Sequence, residues 1–291
     1  MWVKREPLKA PTTFSWDMSR VALIKGERSL ETVYNAIDLI PYRDAFKDLD
    51  RVLIKVNFIT TKDWSSGATT DPIVVEALVN RLRDIGKEVV IVESDAQTTN
   101  ADKASVASGM EEMGKRLDVP FVNMRHLDEK VELEVKGGRV LKKIKVAKIA
   151  TESGLVSAAK LKTHMSTSVT LGMKNLFGML TTKFKGKYHL RGMDKVVHDI
   201  AVTLPPHLTI IDGFVAMEGK GPVHGKPVKM DSIIASTDVV AADATASRIM
   251  GFNPERIDHI RWAEESGLGT MNPEVVGDSI ESVKRVFERG R

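Results

Sequence analysis

Short runs of Val, Ile and Leu alternate with longer stretches in which apolar residues recur every three or four positions. This alternation predicts strands joined by crossover helices. Val21–Lys25 reads as a strand; Ser29 then caps a helix through about Ile40, which Pro41 ends. Arg51–Asn57 is a second strand. Asp71 precedes Pro72 and is steered away from helical geometry, which makes it an N-cap with proline at the first helical position. That helix runs to Ile85 and closes on Gly86. Glu88–Glu93 is a third strand, followed by a helix over Asp102–Leu117.

In the middle of the chain, Val131–Val135 and Arg139–Ile144 flank Gly137–Gly138 and predict a β-hairpin. Leu155–Leu161 is a buried strand, Met165–Leu180 reads as a helix, and Lys183–Arg191 as a basic loop. Asp194–Leu204 is helical up to Pro205–Pro206. Leu208–Ile211 and Ser232–Ala235 are strands separated by a Gly-rich loop, and Asp238–Met250 and Pro254–Glu265 are helices capped by Asp238 and Asn253. The expected fold is α/β: a mostly parallel, Rossmann-like layered sheet with helices on both faces and a small inserted β-hairpin. Residues 1–17 read as an irregular N-terminal arm. Residues 18–291 read as a single α/β domain with the hairpin inserted near 131–144.

Composition removes several chemistries. The 291 residues include no cysteine, which excludes disulfides, thiolate metal sites, a cysteine nucleophile and any iron–sulfur cluster held by the chain's own cysteines. Glutamine occurs once, at Gln97, amid abundant charge, a balance expected of a thermophilic source. The 43 basic and 39 acidic residues leave a net charge of only +4, and aromatic content is 5%, so neither a basic footprint nor a stacking platform for nucleic acid is expected. No apolar run approaches the roughly 18 residues of a membrane span, so a cytoplasmic location without a membrane partner is expected.

Polar residues collect where apolar runs end: Lys25; Lys55 and Asn57; Glu93, Ser94 and Asp95; Lys160 and Lys162; Asp212; Thr237 and Asp238. In open parallel sheets ligands bind at the carboxyl ends of strands, so Lys55, Asp95, Lys160, Asp212 and Asp238 are expected at one edge of one sheet. The densest segment is Lys160–Asn175. Lys160 and Lys162, two apart, face one side of a strand, and Thr163, Ser166 and Thr167 then open the expected helix, whose free N–H groups favour an anion. Thr167, Thr170 and Lys174 share a face of that helix. His164 is a candidate proton carrier. The loop Met217–Gly225 fits neither a dinucleotide fingerprint nor a P-loop, while Asp212, Glu218 and His224 form a candidate oxygen/nitrogen metal set. Asp243 lies in a stretch apolar on nearly every side, so it is expected to be buried and answered by Lys55, Lys160, backbone N–H groups or a cation.

These segments resemble the family catalogued as domain of unknown function 362. The resemblance rests on Val52–Asn57, Ala68–Pro72, Lys160–His164 with Val169–Gly178, Ile211–Gly219, Gly221–Gly225 and Thr237–Asp243, and extends over roughly residues 19–269. It implies the fold and a pocket, without a reaction. Several members carry a ferredoxin-like module with cysteine-bound clusters, which implies that any cluster role is absent here or supplied by a ferredoxin-like partner.

The first functional expectation is an enzyme of undetermined class acting on a small anionic phosphate or carboxylate metabolite. His164 and Lys174 would be catalytic. Lys55, Asn57, Thr70, Lys160, Lys162, Thr163, Thr167, Asn175 and His224 would bind the ligand, and Asp212, Glu218 and Asp243 would hold a divalent cation. The alternative is a non-catalytic cofactor-binding or redox-partner module.

Overall fold

The computed structural model describes residues 19–182 and 185–290, so the expected arm at 1–17 and Lys183 of the basic loop lie outside the described residues. The strands, in chain order, are β1 (Arg20–Lys25), β2 (Arg51–Lys55), β3 (Glu88–Glu93), β4 (Phe121–Asn123), β5 (Lys130–Glu134), β6 (Lys143–Ala147), β7 (Gly154–His164), β8 (Ser168–Thr170), β9 (Leu208–Glu218), β10 (Lys226–Ser236) and β11 (Glu274–Gly277). One nine-stranded sheet runs β11-β1-β10-β9-β7-β2-β3-β4, with β8 paired to β7; β5 and β6 form the separate hairpin. The long run β9-β7-β2-β3-β4 is parallel throughout. Its strands are apolar on both faces because helices cover both.

The helices are α1 (Leu30–Asp38), α2 (Tyr42–Ala45), α3 (Pro72–Arg83), α4 (Ala101–Ala107), α5 (Met110–Leu117), α6 (Gly172–Asn175), α7 (Met193–Thr203), α8 (Val239–Ile249), α9 (Asp258–Glu265) and α10 (Ile280–Val283). On one face of the sheet Val52, Ile54, Val156 and Ile210 pack with α1, α3 and α5. On the other, Leu53, Leu155, Ala159 and Ile211 pack with α7, α8, α9 and the β5–β6 hairpin. Caps sit where their side chains predict: Ser29, Asp71 and Asp238 accept from N–H groups in the first turns of α1, α3 and α8.

Four expectations need correction. The helix over Asp102–Leu117 is two helices, broken where Gly109 takes a φ of 78°. The second hairpin strand begins at Lys143 rather than Arg139, because the Asp199 carboxylate accepts the amides of Arg139, Val140 and Leu141 at 2.7–2.8 Å and so removes them from the ladder. The helix over Met165–Leu180 is absent. In its place β7 turns back on itself into β8, with Lys162 opposite Thr170 and His164 opposite Ser168; the short α6 and a 3₁₀ turn follow. Val169, Leu171 and Met173 alternate, and this period of two fits a strand as readily as their spacing fits a helix.

The fourth correction concerns the edge. The strands at 208–211 and 232–235 extend into a long antiparallel hairpin, β9–β10, so β10 runs against the parallel set. Asp238, at its end, lies at the opposite edge from Lys55, Lys160 and Asp212, bonding Ser19 ahead of β1 at 2.8 Å and the first amides of α8. The five residues do not share one edge, and the pocket drawn from every strand end does not exist. A smaller one does.

Candidate functional site

From β2 the chain moves outward through β3 to β4, then returns to lay β7 along the other side of β2. Such a reversal leaves a crevice beyond the carboxyl ends of the two central strands. A cavity of about 440 Å³ opens there, walled by Lys55 and Asn57 after β2, Glu93 and Ser94 after β3, Lys162 and His164 of β7, Thr170, Lys174 and Asn175, and by Lys185 and His189. Beside it the ladder loosens. Lys160 pairs with Asp212 but Lys162 with Met217, so Gly213–Ala216 of β9 stand against Leu161 alone and bow outward. The far wall is Pro222 and Val223, at the tip of the β9–β10 hairpin. The root of that tip is tied to the C-terminal segment: Gly219 N–H donates to the Glu288 carbonyl at 2.9 Å, Glu288 N–H to Glu218 at 3.1 Å, and Arg285 to Glu218 at 3.3 Å.

Four lysines meet this cavity and one carboxylate answers them. Lys55 is saturated: its ammonium donates to Glu93 at 2.8 Å, Asn175 Oδ1 at 3.1 Å and the Val56 carbonyl at 2.6 Å. Burial still lowers its pKa, with Glu93 pulling back. Lys162 is fully buried, and its partners are neutral, Asn57 Oδ1 at 2.7 Å and the Ala68 carbonyl at 2.6 Å. Burial, then the positive charges of Lys160 and Lys174, push its pKa far below the usual lysine value. Lys185 donates to Ser94 Oγ at 2.6 Å, and burial brings it down to about 8. Lys174 is half-buried with its Nζ 4.9 Å from the centre of the Phe177 ring. Burial lowers it to about 8, against the pull of Asp194.

The remaining groups are polar and ordered. His164 Nδ1 accepts from Ser166 N–H at 3.1 Å, which leaves the proton of the neutral ring on Nε2. Burial, with Lys174 and Lys162 adding to it, takes its pKa down to about 2, so the ring is neutral in the physiological range. Asn175 holds the floor together, donating to the Lys55 carbonyl and Ser157 and accepting from Lys55 and Asn57. Gly178 passes so close that a Cβ there would collide with Lys55 and Glu93. Thr170 Oγ1 is buried in the wall with no hydrogen-bond partner among the described residues.

The family described as Domain of unknown function (DUF362) matches residues 52–248, a span that contains every residue lining the cavity. The chain belongs to the DUF362 family. It is also similar to a thylakoid-associated protein of Synechocystis, 30% identical over 239 residues, 78% of this chain and 71% of the relative. No solved structure matches it. None of the helices in the described residues is long and apolar enough to cross a membrane.

Within this DUF362 chain, Lys55, Asn57, Lys162, His164, Lys174 and Asn175 come together as expected. The others do not. Thr70 accepts from Asn57 N–H and donates to the Ala158 carbonyl, a tie between strands. Thr163 donates to the Gly219 carbonyl and Thr167 to that of Val169. His224 is exposed, past the hairpin tip. Lys160 and Asp212 form a wholly buried pair at 2.7 Å, and Asp212 also accepts the amides of Asp71 and Phe214. Burial raises the Asp212 pKa and Lys160 offsets part of that rise.

The carboxylates expected to hold a cation are thus dispersed: Asp212 on Lys160, Glu218 on the C-terminal segment, Asp243 elsewhere. Asp243 is buried, as its apolar helix implies, and two amides of α6 answer it, Gly172 at 2.7 Å and Met173 at 3.0 Å. The helix start expected at Thr163–Thr167 to attract an external anion does not form, because β7 turns there into β8, and the start of the short α6 that follows is taken by this internal carboxyl group. Among the described residues no group of three His, Asp or Glu is placed to hold a metal ion.

The DUF362 cavity also contains groups absent from the expected site. Glu93 and Ser94 stood out as polar strand-end residues, yet their role depends on Lys55 and Lys185, which are far away in sequence. Phe177 reads as a core position of the expected helix and instead faces Lys174. One other arrangement invites a catalytic reading: His198 lies 2.9 Å from Asp199 and 2.8 Å from Ser266. None of the three lines the cavity, and Asp199, held below the usual carboxylate range by His198 and three loop amides despite its burial, serves to shape the hairpin loop.

Proposed function

We propose that the protein is an enzyme acting on a small anionic metabolite, a phosphate or carboxylate, bound in the lysine-lined cavity at the carboxyl edge of β2, β3 and β7. One observation carries the reading: four lysines border a single cavity that offers them one carboxylate, already engaged by Lys55. Mutual repulsion and burial disfavour their charged forms, and an anion between them would reverse both effects. The orphaned Thr170 hydroxyl and the Nε2–H of His164 add donors that an anionic or carbonyl oxygen would accept. The expected cation is not part of this reading, because the three carboxylates chosen for it do not converge. A cytoplasmic setting is part of the proposal, and fractionation of the producing cells tests it.

Calorimetric titration with phosphate, small phosphorylated metabolites and dicarboxylates tests the site itself. Binding should take up protons, visible as an enthalpy that changes with the ionisation enthalpy of the buffer. Lys162→Met should weaken it by about five- to a hundredfold. A panel with no binding to the unmodified protein ends the proposal.

A further inference from the structure

The four lysines differ in one respect that decides what each can do. An amine attacks a carbonyl only with a free lone pair, and an ammonium that donates to three acceptors has none. Lys55 is in that state, held by Glu93, Asn175 and a carbonyl. Lys162 and Lys185 are anchored instead, one between Asn57 and Ala68 and the other on Ser94, and neither nitrogen reaches a carbonyl without giving up those bonds. Lys174 alone among these four has no oxygen or nitrogen acceptor among the described residues, and its Nζ stands in the cavity wall over the Phe177 ring. Burial of this nitrogen, with Lys55 adding to it and Asp194 opposing, favours the neutral amine.

We propose that Lys174 is a nucleophile that forms an imine with a 2-oxo acid held in this cavity. The inference rests on the anion-site reading and names the substrate class: a carboxylate for the lysines to bind, with a carbonyl adjacent to it. Phosphate esters offer the charge without an electrophilic carbon for Lys174; a 2-oxo acid offers both.

The step balances without any further reactant. The Nζ lone pair forms a bond to the carbonyl carbon while the C=O π pair moves to oxygen, which is protonated to give a carbinolamine. Loss of water, carrying the carbonyl oxygen and both Nζ hydrogens, leaves the imine, and a proton from solvent makes it an iminium. Neutral His164 orients the carbonyl by donating from Nε2 and gives up no proton. A pKa of about 8 leaves a useful fraction of Lys174 unprotonated near neutrality.

The test uses the full chain with pyruvate and with 2-oxoglutarate, each in the presence of sodium cyanoborohydride, and is read by intact mass and peptide mapping. The expected result is one reduced adduct per chain, on Lys174. Lys174→Arg keeps the positive charge but cannot form the imine; it should retain calorimetric affinity for the same acid within a fewfold and lose the adduct completely. Binding without an adduct overturns the imine and leaves the anion site standing. No binding of either acid while phosphate binds overturns the substrate class alone. No binding of any anion overturns both. An adduct on Lys162, Lys185 or scattered surface lysines, unchanged in Lys174→Arg, assigns the nucleophile wrongly and overturns the proposal.

Discussion

Lys160 and Lys162 stand two residues apart on β7, both with no exposed surface, and they live in opposite electrostatic circumstances. Lys160 faces Asp212 at 2.7 Å, a neutral pair reinforced by two backbone amides. Lys162 faces an amide oxygen and a carbonyl, with further lysines nearby. A buried ion pair is held for structure, and breaking it strands a charge. A buried amine without a counter-charge is disfavoured as a cation in the free protein, and a bound anion relieves that penalty. The outward bow of β9 at Gly213–Ala216 separates the two environments.

Removing Lys160 should have the largest effect. Lys160→Met leaves Asp212 buried and charged, and should lower stability by about 3–5 kcal/mol in denaturant unfolding. Adding Asp212→Asn to it should restore a good part of that loss. If the single variant unfolds like the unmodified protein, the pair is not the anchor described here.

Asp243 sharpens the comparison as a buried carboxyl group whose partners are two amides. Asp243→Ala strands both N–H groups and should cost about 2–4 kcal/mol by thermal unfolding. Burial outweighs those amides and raises the carboxyl to about 7. The folded state therefore holds a proton that the unfolded state has released, and stability should fall as pH rises from about 4 to about 7. Asp243→Asn should flatten that slope. A slope that persists unchanged in Asp243→Asn belongs to another group.

Lys162→Met should invert the Lys160 result. Stability should change by no more than about 1–2 kcal/mol, because the lost donor bonds are offset by removing a buried polar amine that no opposite charge answers. Anion affinity in the calorimeter should drop by about 1–3 kcal/mol. If both methionine variants unfold to the same extent, the two lysines are alike and the comparison collapses.

The smallest effect is with pH. Lys185 titrates at about 8 in the free protein, and a bound anion favours its ammonium form. Affinity should be full below about 8 and fall above it, roughly tenfold between pH 7 and pH 9. A flat profile would detach this lysine from the ligand.

Much of this was legible in the sequence, for reasons that also mark the limits. Asp71 before Pro72, Gly86 after its helix and Asp238 before Val239 are local signals, and each predicted the local geometry observed. Lys55, Asn57 and Lys162 were found because polar residues ending apolar runs sit at strand ends, whereas His164 was reached through its proton chemistry, Lys174 through a face of a helix that does not form, and Asn175 through the segment carrying the family resemblance. Strand direction is not written in periodicity. The pattern at Ser232–Ala235 suits either direction, so Asp238 was placed at the wrong edge. Partner choice is not written there either: Lys160 and Lys162 look identical until β9 brings Asp212 to one and bows away from the other. Thr163 and Thr167 suggested a helix start by composition, and the turn into β8 claimed them first.

The tie between the β9–β10 tip and the C-terminal segment has a practical consequence. Pro222 and Val223 close the cavity, but Arg285 and Glu288 hold the root of their hairpin from outside. An exopeptidase trimming back past Arg285, or a fusion partner crowding that stretch, would slacken a wall that none of those residues touches. Assays of the cavity are therefore best run on protein whose C-terminal residues are verified by mass, with any purification handle kept away from them.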